Sequence, residues 1–174
     1  MLGINLGLYS VYTSAPENSE YYKTEISGIA GNFRLNIGRA ITDSSVIYGS
    51  YSFLSAKDPD ISSDGETLDL DEASYTISGL GIGTNYYIMP QNVYLGMVVD
   101  FPIHSIEIRA GGDSESDDSD VGVTFNGIAG IEGWASDEWG LGINAMIGFG
   151  SFKGESGRSF SSTTFGVNLT ATYN

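Results

Sequence analysis

The feature that most constrains this chain is a strict alternation of apolar residues with small or polar ones, which begins at Leu2. From Leu2 to Leu8 every second residue is apolar, and the residues between them are glycine and asparagine. A period of two places successive side chains on opposite faces of a β-strand. The pattern recurs seven more times along the chain. The sequence therefore predicts eight strands, each with one apolar face and one face of small polar residues.

The segments that connect these strands alternate between long and short. The long segments are polar and comprise residues 13–23, 55–73, 104–120 and 151–161. The short segments are predicted turns at residues 39–45, 89–92 and 135–138. This arrangement is typical of an all-β, eight-stranded antiparallel up-and-down transmembrane barrel, with long loops at one end and short turns at the other. We expect residues 1–174 to form one such domain, with Met1 in place of a removed export leader.

Acidic residues collect in the long connections rather than in the strands. The chain has 22 acidic and 7 basic residues and a formal net charge of −15. Nucleic acid is therefore not expected as a partner, because phosphate binding requires a basic surface. The apolar strand faces carry no charge in mid-strand, which suits contact with hydrocarbon, where a charge at the bilayer midplane costs about 2–4 kcal/mol. The chain has no cysteine, which excludes disulfides and thiolate metal sites.

Large aromatic side chains on the apolar faces fall at two levels of the predicted barrel. Near the loop end they are Tyr12, Tyr51, Phe53, Phe101 and Phe149, and near the turn end they are Tyr86, Trp139 and Tyr173. Aromatic belts at both interfaces are typical of transmembrane β-barrels. The alternative is a soluble barrel or sandwich, which would bury the apolar face and expose the other. The membrane barrel is favoured because a water-facing surface normally carries Lys and Glu, and the polar faces here carry few charges.

The stretches around the predicted turns point to a known family. They read LNIGRAITDSSVIYGSYSF, GLGIGTNYYIMPQNVYLG and GIEGWASDEWGLGI, and the chain ends in FGVNLTATYN. In these stretches, and in its pattern over essentially all 174 residues, the chain resembles the small OmpA/OmpX-like outer-membrane β-barrels. The family's C-terminal insertion signal ends in an aromatic residue, which Tyr173 matches, although Asn174 follows it here.

The resemblance implies a location in the bacterial outer membrane, with the loops extracellular and the termini periplasmic. It also implies contact with the lipid bilayer and with lipopolysaccharide, insertion by the barrel assembly machinery, and a monomeric state. The functions of the family are diverse, and a fold does not determine a function. We expect a structural or surface-binding protein with a largely filled polar lumen and acidic loops. The alternatives are a narrow pore for small solutes or ions and, less favoured, an enzyme that modifies lipid.

Three charged residues lie on the predicted inner faces: Arg34, Asp100 and Glu132. Charges inside a narrow lumen must pair or reach trapped water, because an unpaired buried charge is costly. We expect Arg34 to contact Glu132, with Asp100 as a second possible partner. A plug of the lumen is favoured over an ion gate, because eight strands leave room only for side chains.

The second long connection contains a spacing that is typical of a Ca²⁺-binding loop. Its oxygen-bearing residues are Asp60, Ser62, Asp64, Glu66 and Asp71, with Gly65 at the position of the sharp turn. The final position is Asp rather than the usual bidentate Glu, and no helix flanks the loop. The alternative is a solvated acidic loop. Apart from this possible Ca²⁺ in residues 58–72, no cofactor is expected.

The third long connection and the strand before it carry two further candidates. Residues 111–120 read GGDSESDDSD, a composition that predicts disorder with at most diffuse cation binding. His104 is the single histidine of the chain and lies near Ser105 and Glu107. Lipid-modifying barrel enzymes use such residue types near the rim. A regular strand would point His104 and Ser105 to opposite faces, so catalysis would require a bulge, for example at Pro102.

Overall fold

The computed structural model describes residues 1–15, 23–63, 66–67, 72–110, 113–154 and 157–173. It contains eleven strands in these ranges: β1 (Leu2–Ala15), β2 (Thr24–Thr42), β3 (Ser45–Lys57), β4 (Asp60–Ser63), β5 (Glu66–Thr67), β6 (Glu72–Ile88), β7 (Val93–Ala110), β8 (Asp113–Asp118), β9 (Val123–Trp134), β10 (Trp139–Lys153) and β11 (Ser159–Tyr173). In these ranges no helix is long and apolar enough to cross a membrane.

Eight of these strands close into a barrel, which confirms the predicted fold class. Each pairs antiparallel with its neighbours in the order β1, β2, β3, β6, β7, β9, β10 and β11, and β11 pairs with β1. Closure leaves no free edge in the barrel wall, so every wall strand has a partner on both sides. The predicted turns at residues 89–92 and 135–138 are confirmed, and the turn within 39–45 shortens to Asp43 and Ser44.

The register determines how steeply the strands are tilted. Following paired residues from Tyr9 around the barrel reaches Ile106 on β7 in one direction and Gly96 on the same strand in the other. The two end points are ten residues apart, and this offset is the shear of the barrel. Eight strands with this shear tilt by about 40° from the barrel axis. Two inward side chains therefore meet across the lumen only when they lie at the same height along the barrel axis, and this height depends on the tilt as well as on the residue number.

The apolar faces point outward. Leu8, Leu80 and Leu169 are each 68% exposed, whereas a soluble barrel would bury these side chains. When heights along the barrel axis are compared with the strand tilt taken into account, five exposed phenylalanines lie within about one residue of the same height. They are Phe53, Phe101, Phe125, Phe149 and Phe165. We call this ring the phenylalanine belt; the expected loop-end belt lacked Phe125 and Phe165.

The long connections are more regular than expected. Strand β7 continues to Ala110, and β8 pairs with it over residues 113–118, a segment predicted to be disordered. That prediction was wrong because β8 gains its order from backbone hydrogen bonds to the extended β7 rather than from burial of apolar side chains. Similarly, β4 pairs with the start of β2. The wall therefore extends beyond the phenylalanine belt at the loop end.

Candidate functional site in the barrel lumen

Three buried tyrosine rings fill much of the lumen, and each lies against a glycine of the neighbouring strand. The partners are directly opposite in the register: Tyr9 with Gly166, Tyr48 with Gly83, and Tyr94 with Gly130. A Cβ atom added to any of these glycines would lie 2.3–2.6 Å from the tyrosine ring. The glycines are therefore required for packing, because they make room for rings inside a narrow barrel. Sequence reasoning missed this role, although a large residue on a face of small polar ones was a visible signal.

Asparagine amides connect the tyrosine hydroxyls. The Nδ2 of Asn168 donates to the hydroxyl of Tyr9 at 2.9 Å and to Oδ1 of Asn144 at 2.7 Å, while its own Oδ1 accepts from Asn32 at 2.9 Å. Asn144 donates in turn to the hydroxyl of Tyr94 at 3.0 Å. Asn168 thus uses both of its amide donors and its acceptor. A buried polar network satisfied in this way holds its side chains in one arrangement.

A buried ion pair lies at mid-height in the lumen. The Nη2 of Arg34 donates to Oδ2 of Asp100 at 2.7 Å, and Nη1 donates to Oδ1 at 3.2 Å. Asn126 and Ser50 donate to the same carboxylate at 2.8 and 3.3 Å. Arg34 and Asp100 are only 5% and 3% exposed. Bidentate geometry with additional donors is the arrangement in which Coulomb attraction offsets the cost of desolvating both charges.

The structure corrects the expected partner of Arg34, which is Asp100 rather than Glu132. Glu132 lies about five residues nearer the turn end than Arg34 once the strand tilt is removed. There its Oε2 accepts a hydrogen bond from Thr172 at 2.8 Å. The shear of the barrel decides this outcome, and the shear cannot be read from the alternation of a single strand.

Two small cavities flank the ion pair. One of about 40 Å³ lies on the loop side and one of about 20 Å³ on the turn side, and Arg34 lines both. The smaller is large enough for one water molecule. Arg34 Nε and Asn36 Oδ1 are buried without a protein partner, and both residues line it.

Aromatic side chains form a stack above the ion pair, toward the loop end. The His104 ring stacks on Phe152 with centroids 3.7 Å apart and planes 15° apart, and Phe152 stacks on Phe160 at 5.1 Å. His104 Nδ1 lies 2.6 Å from the hydroxyl of Tyr75, which lies 3.0 Å from Thr13 Oγ1. A cavity of about 70 Å³ opens over this stack.

The register keeps His104 and Ser105 on opposite faces. Paired residues follow one another without a shift from Pro102 to Ser105, so Pro102 introduces no bulge. His104 is 4% exposed and faces the lumen. The arrangement of histidine and nucleophile that an enzyme would need is therefore not formed by these two residues.

The predicted Ca²⁺ loop lies largely outside the described residues. Asp64 and Asp71 are not described, and of Glu66 only the backbone is. Asp60 and Ser62 lie on β4, where their backbones pair with Ser27 and Glu25. Among the described residues, no three His, Cys, Asp or Glu side chains group as metal ligands. The Ca²⁺ site stays a prediction.

All eight predicted belt aromatics project from the outer face. They are 38–58% exposed: Tyr12, Tyr51, Phe53, Tyr86, Phe101, Trp139, Phe149 and Tyr173. At the turn end the Trp139 and Tyr173 rings lie 5.3 Å apart. At the loop end the Tyr12 hydroxyl donates to Glu25, and the adjacent Lys23 ammonium lowers the pKa of the Glu25 carboxyl. Their role at a membrane interface stays a prediction.

Comparison with solved structures identifies the fold. The chain superposes on Neisserial surface protein A with a TM-score of 0.59 at 9% identity, covering 99% of this chain and 97% of that one. The chain has the fold of the small outer-membrane β-barrels. Further matches are Ail of Yersinia pestis (TM-score 0.48, 12% identity, 97% of each chain) and the outer-membrane protein AlkL (0.48, 11%, 99% of this chain and 88% of that one). No family model and no curated protein matches the sequence.

Proposed function

We propose that this protein is a non-conducting outer-membrane barrel that displays an acidic binding surface outside the cell. The loop end is extracellular and the termini are periplasmic. The observation that carries the proposal is the filled lumen: tyrosine rings, asparagine amides and the Arg34–Asp100 pair occupy its turn-side half and its middle.

The outer face supports a location in the membrane. Its apolar side chains are widely exposed, and Leu8, Leu80 and Leu169 would each contact water in a soluble protein. A continuous apolar surface of this extent marks contact with lipid or with another protein. The apolar band is also bounded by aromatic side chains at both ends, as in transmembrane barrels. Lipid is therefore the environment that this surface fits.

The filled lumen argues against the narrow pore. A conducting path would have to break the bidentate contact between Arg34 and Asp100, leaving two buried charges without their partners. It would also have to displace the tyrosine rings that lie against their glycines. Ions could therefore pass only if inward-facing side chains on several strands rearranged at the same time.

The extended wall above the phenylalanine belt supports a surface role. Strand β8 exposes Asp117 and Asp118 beside β7, and the whole chain carries a net charge of −15. Such a field attracts cations and cationic partners. The acidic segments would also allow divalent cations to bridge the protein to lipopolysaccharide. No catalysis is assigned to His104, because Tyr75 and Phe152 engage its ring and Ser105 faces away.

Conductance in planar lipid bilayers tests the proposal. The native protein is expected to give no stable openings. Replacing Arg34, Asp100, Tyr48 and Tyr94 together by alanine removes the ion pair and two of the three rings, and is expected to produce openings. Tyr173→Ala, which removes a ring from the outer face, is the matched control and is expected to give no openings. Stable openings of the native protein would overturn the plugged barrel.

A further inference from the structure

We propose that the loop-end cavity binds a small organic cation with an aromatic body, such as an arylalkylamine. This cavity, called the vestibule here, is walled by Ile26, Tyr75, His104, Phe152, Phe160 and the β8 residues Asp117 and Asp118. The inference deepens the surface-binding role proposed above and rests on it. It assigns that role a specific site and a class of ligand.

The size and lining of the vestibule suit an aromatic group. At about 70 Å³ it exceeds the roughly 10–15 Å³ that one water molecule needs several-fold. Its inner wall is the stack of His104, Phe152 and Phe160, with the last two planes only 5° apart. A flat ligand ring can continue such a stack or meet it edge to face.

The inner wall is fixed before any ligand arrives. Three contacts hold His104: its Nδ1 bonds to the Tyr75 hydroxyl at 2.6 Å, its backbone N–H donates to Ser119 Oγ at 2.9 Å, and its ring stacks on Phe152. The Ser119 backbone N–H also donates to the His104 carbonyl at 2.8 Å. A preorganised wall lowers the entropy cost of binding.

Charge at the vestibule selects for a cation. Asp117 and Asp118 are exposed, and their register opposite Ile106 and Ser105 places Asp117 on the inward face of β8 and Asp118 on the outward face. No Lys or Arg is among the described residues that line the cavity. The Arg158 guanidinium lies 5.6 Å from the centroid of the Phe160 ring. The same guanidinium donates to Thr24 Oγ1 at 2.9 Å and to the Ala15 carbonyl at 3.2 Å. These bonds connect the segment before β11 to the loop-end residues of β1 and β2. A ligand ammonium would reach the Asp117 carboxylate while its ring lies on the aromatic wall.

The single histidine of the chain provides a direct probe. With ¹⁵N-labelled histidine in the detergent-solubilised protein, the His104 imidazole resonances report on the vestibule alone. Titration with phenethylammonium is expected to shift them to saturation. Three matched probes are expected to bind at least about tenfold more weakly, since each lacks one part of the recognition. They are 2-phenylethanol without the charge, butylammonium without the ring, and 3-phenylpropionate with the opposite charge.

Variants separate specific binding from general attraction. Asp117→Asn with Asp118→Asn is expected to remove the preference for phenethylammonium over 2-phenylethanol. Asp137→Asn, the same change in a turn at the opposite end, is expected to leave it unaltered. No saturable shift with phenethylammonium, tighter binding of 3-phenylpropionate, or an unchanged preference in the double variant would each overturn the inference. If the native protein gives no openings in bilayers and phenethylammonium causes no shift of the His104 resonances, only the proposed ligand site is refuted. Stable openings of the native protein would instead refute the proposed function.

Discussion

Below the Arg34–Asp100 pair the lumen is packed with tyrosine rings and asparagine amides, whereas above it the lumen widens into a vestibule lined by aromatic side chains. The cavity on the turn side measures about 20 Å³ and the vestibule about 70 Å³. The same barrel wall therefore encloses a densely packed polar interior at one end and a larger recess at the other. If both proposals hold, closure and recognition are carried out by different residues.

Loss of the ion pair is the largest expected disruption of the plug. Asp100→Ala leaves the Arg34 guanidinium buried without a counter-charge, which we expect to lower the free energy of unfolding by about 3–5 kcal/mol. Urea denaturation in lipid vesicles measures this change. Glu132→Gln is the control: the amide oxygen can still accept from Thr172, and a loss below about 1 kcal/mol is expected. Equal losses in the two variants would contradict the special role of the ion pair.

The contact between Tyr9 and Gly166 should give a smaller effect. Gly166→Ala places a methyl group 2.3 Å from the Tyr9 ring, and such overpacking lowers the free energy of unfolding by about 1–3 kcal/mol. At Gly31 nothing lies within 4 Å of an added Cβ, so Gly31→Ala is the matched control and should be nearly neutral. Combining Gly166→Ala with Tyr9→Ala should cost less than the sum of the two single changes. Additive losses would show that ring and glycine do not act as a pair.

Much of the wall could be predicted from the sequence. Alternation assigned Leu8 and Leu80 to the outer face and Arg34 to the inner face, because side-chain direction in a strand depends only on parity. The sequence offered Glu132 first and Asp100 second as partners of Arg34, and it could not decide between them, since the choice depends on the shear, which the alternation of one strand does not contain. The tyrosine–glycine pairs depend on register in the same way.

Strand β8 was missed for a different reason. Its residues are serine and acids, a composition that normally predicts disorder because little apolar surface can be buried. Its order depends on the unpaired edge of β7, which becomes available only because β7 extends beyond the phenylalanine belt. The vestibule shares this origin, since Asp117 and Asp118 of β8 form one of its sides.

The central claim, that the outer face lies in a bilayer, is tested most directly by fluorescence quenching of Trp139. In Trp134→Phe, Trp139 is the remaining tryptophan of the two in the chain, and it projects outward beside Tyr173. In vesicles of brominated lipids, bromine near the headgroup end of the acyl chains should quench it strongly, and bromine near the chain ends should quench it less. Unchanged fluorescence in all brominated lipids, with quenching by aqueous iodide instead, would contradict the account.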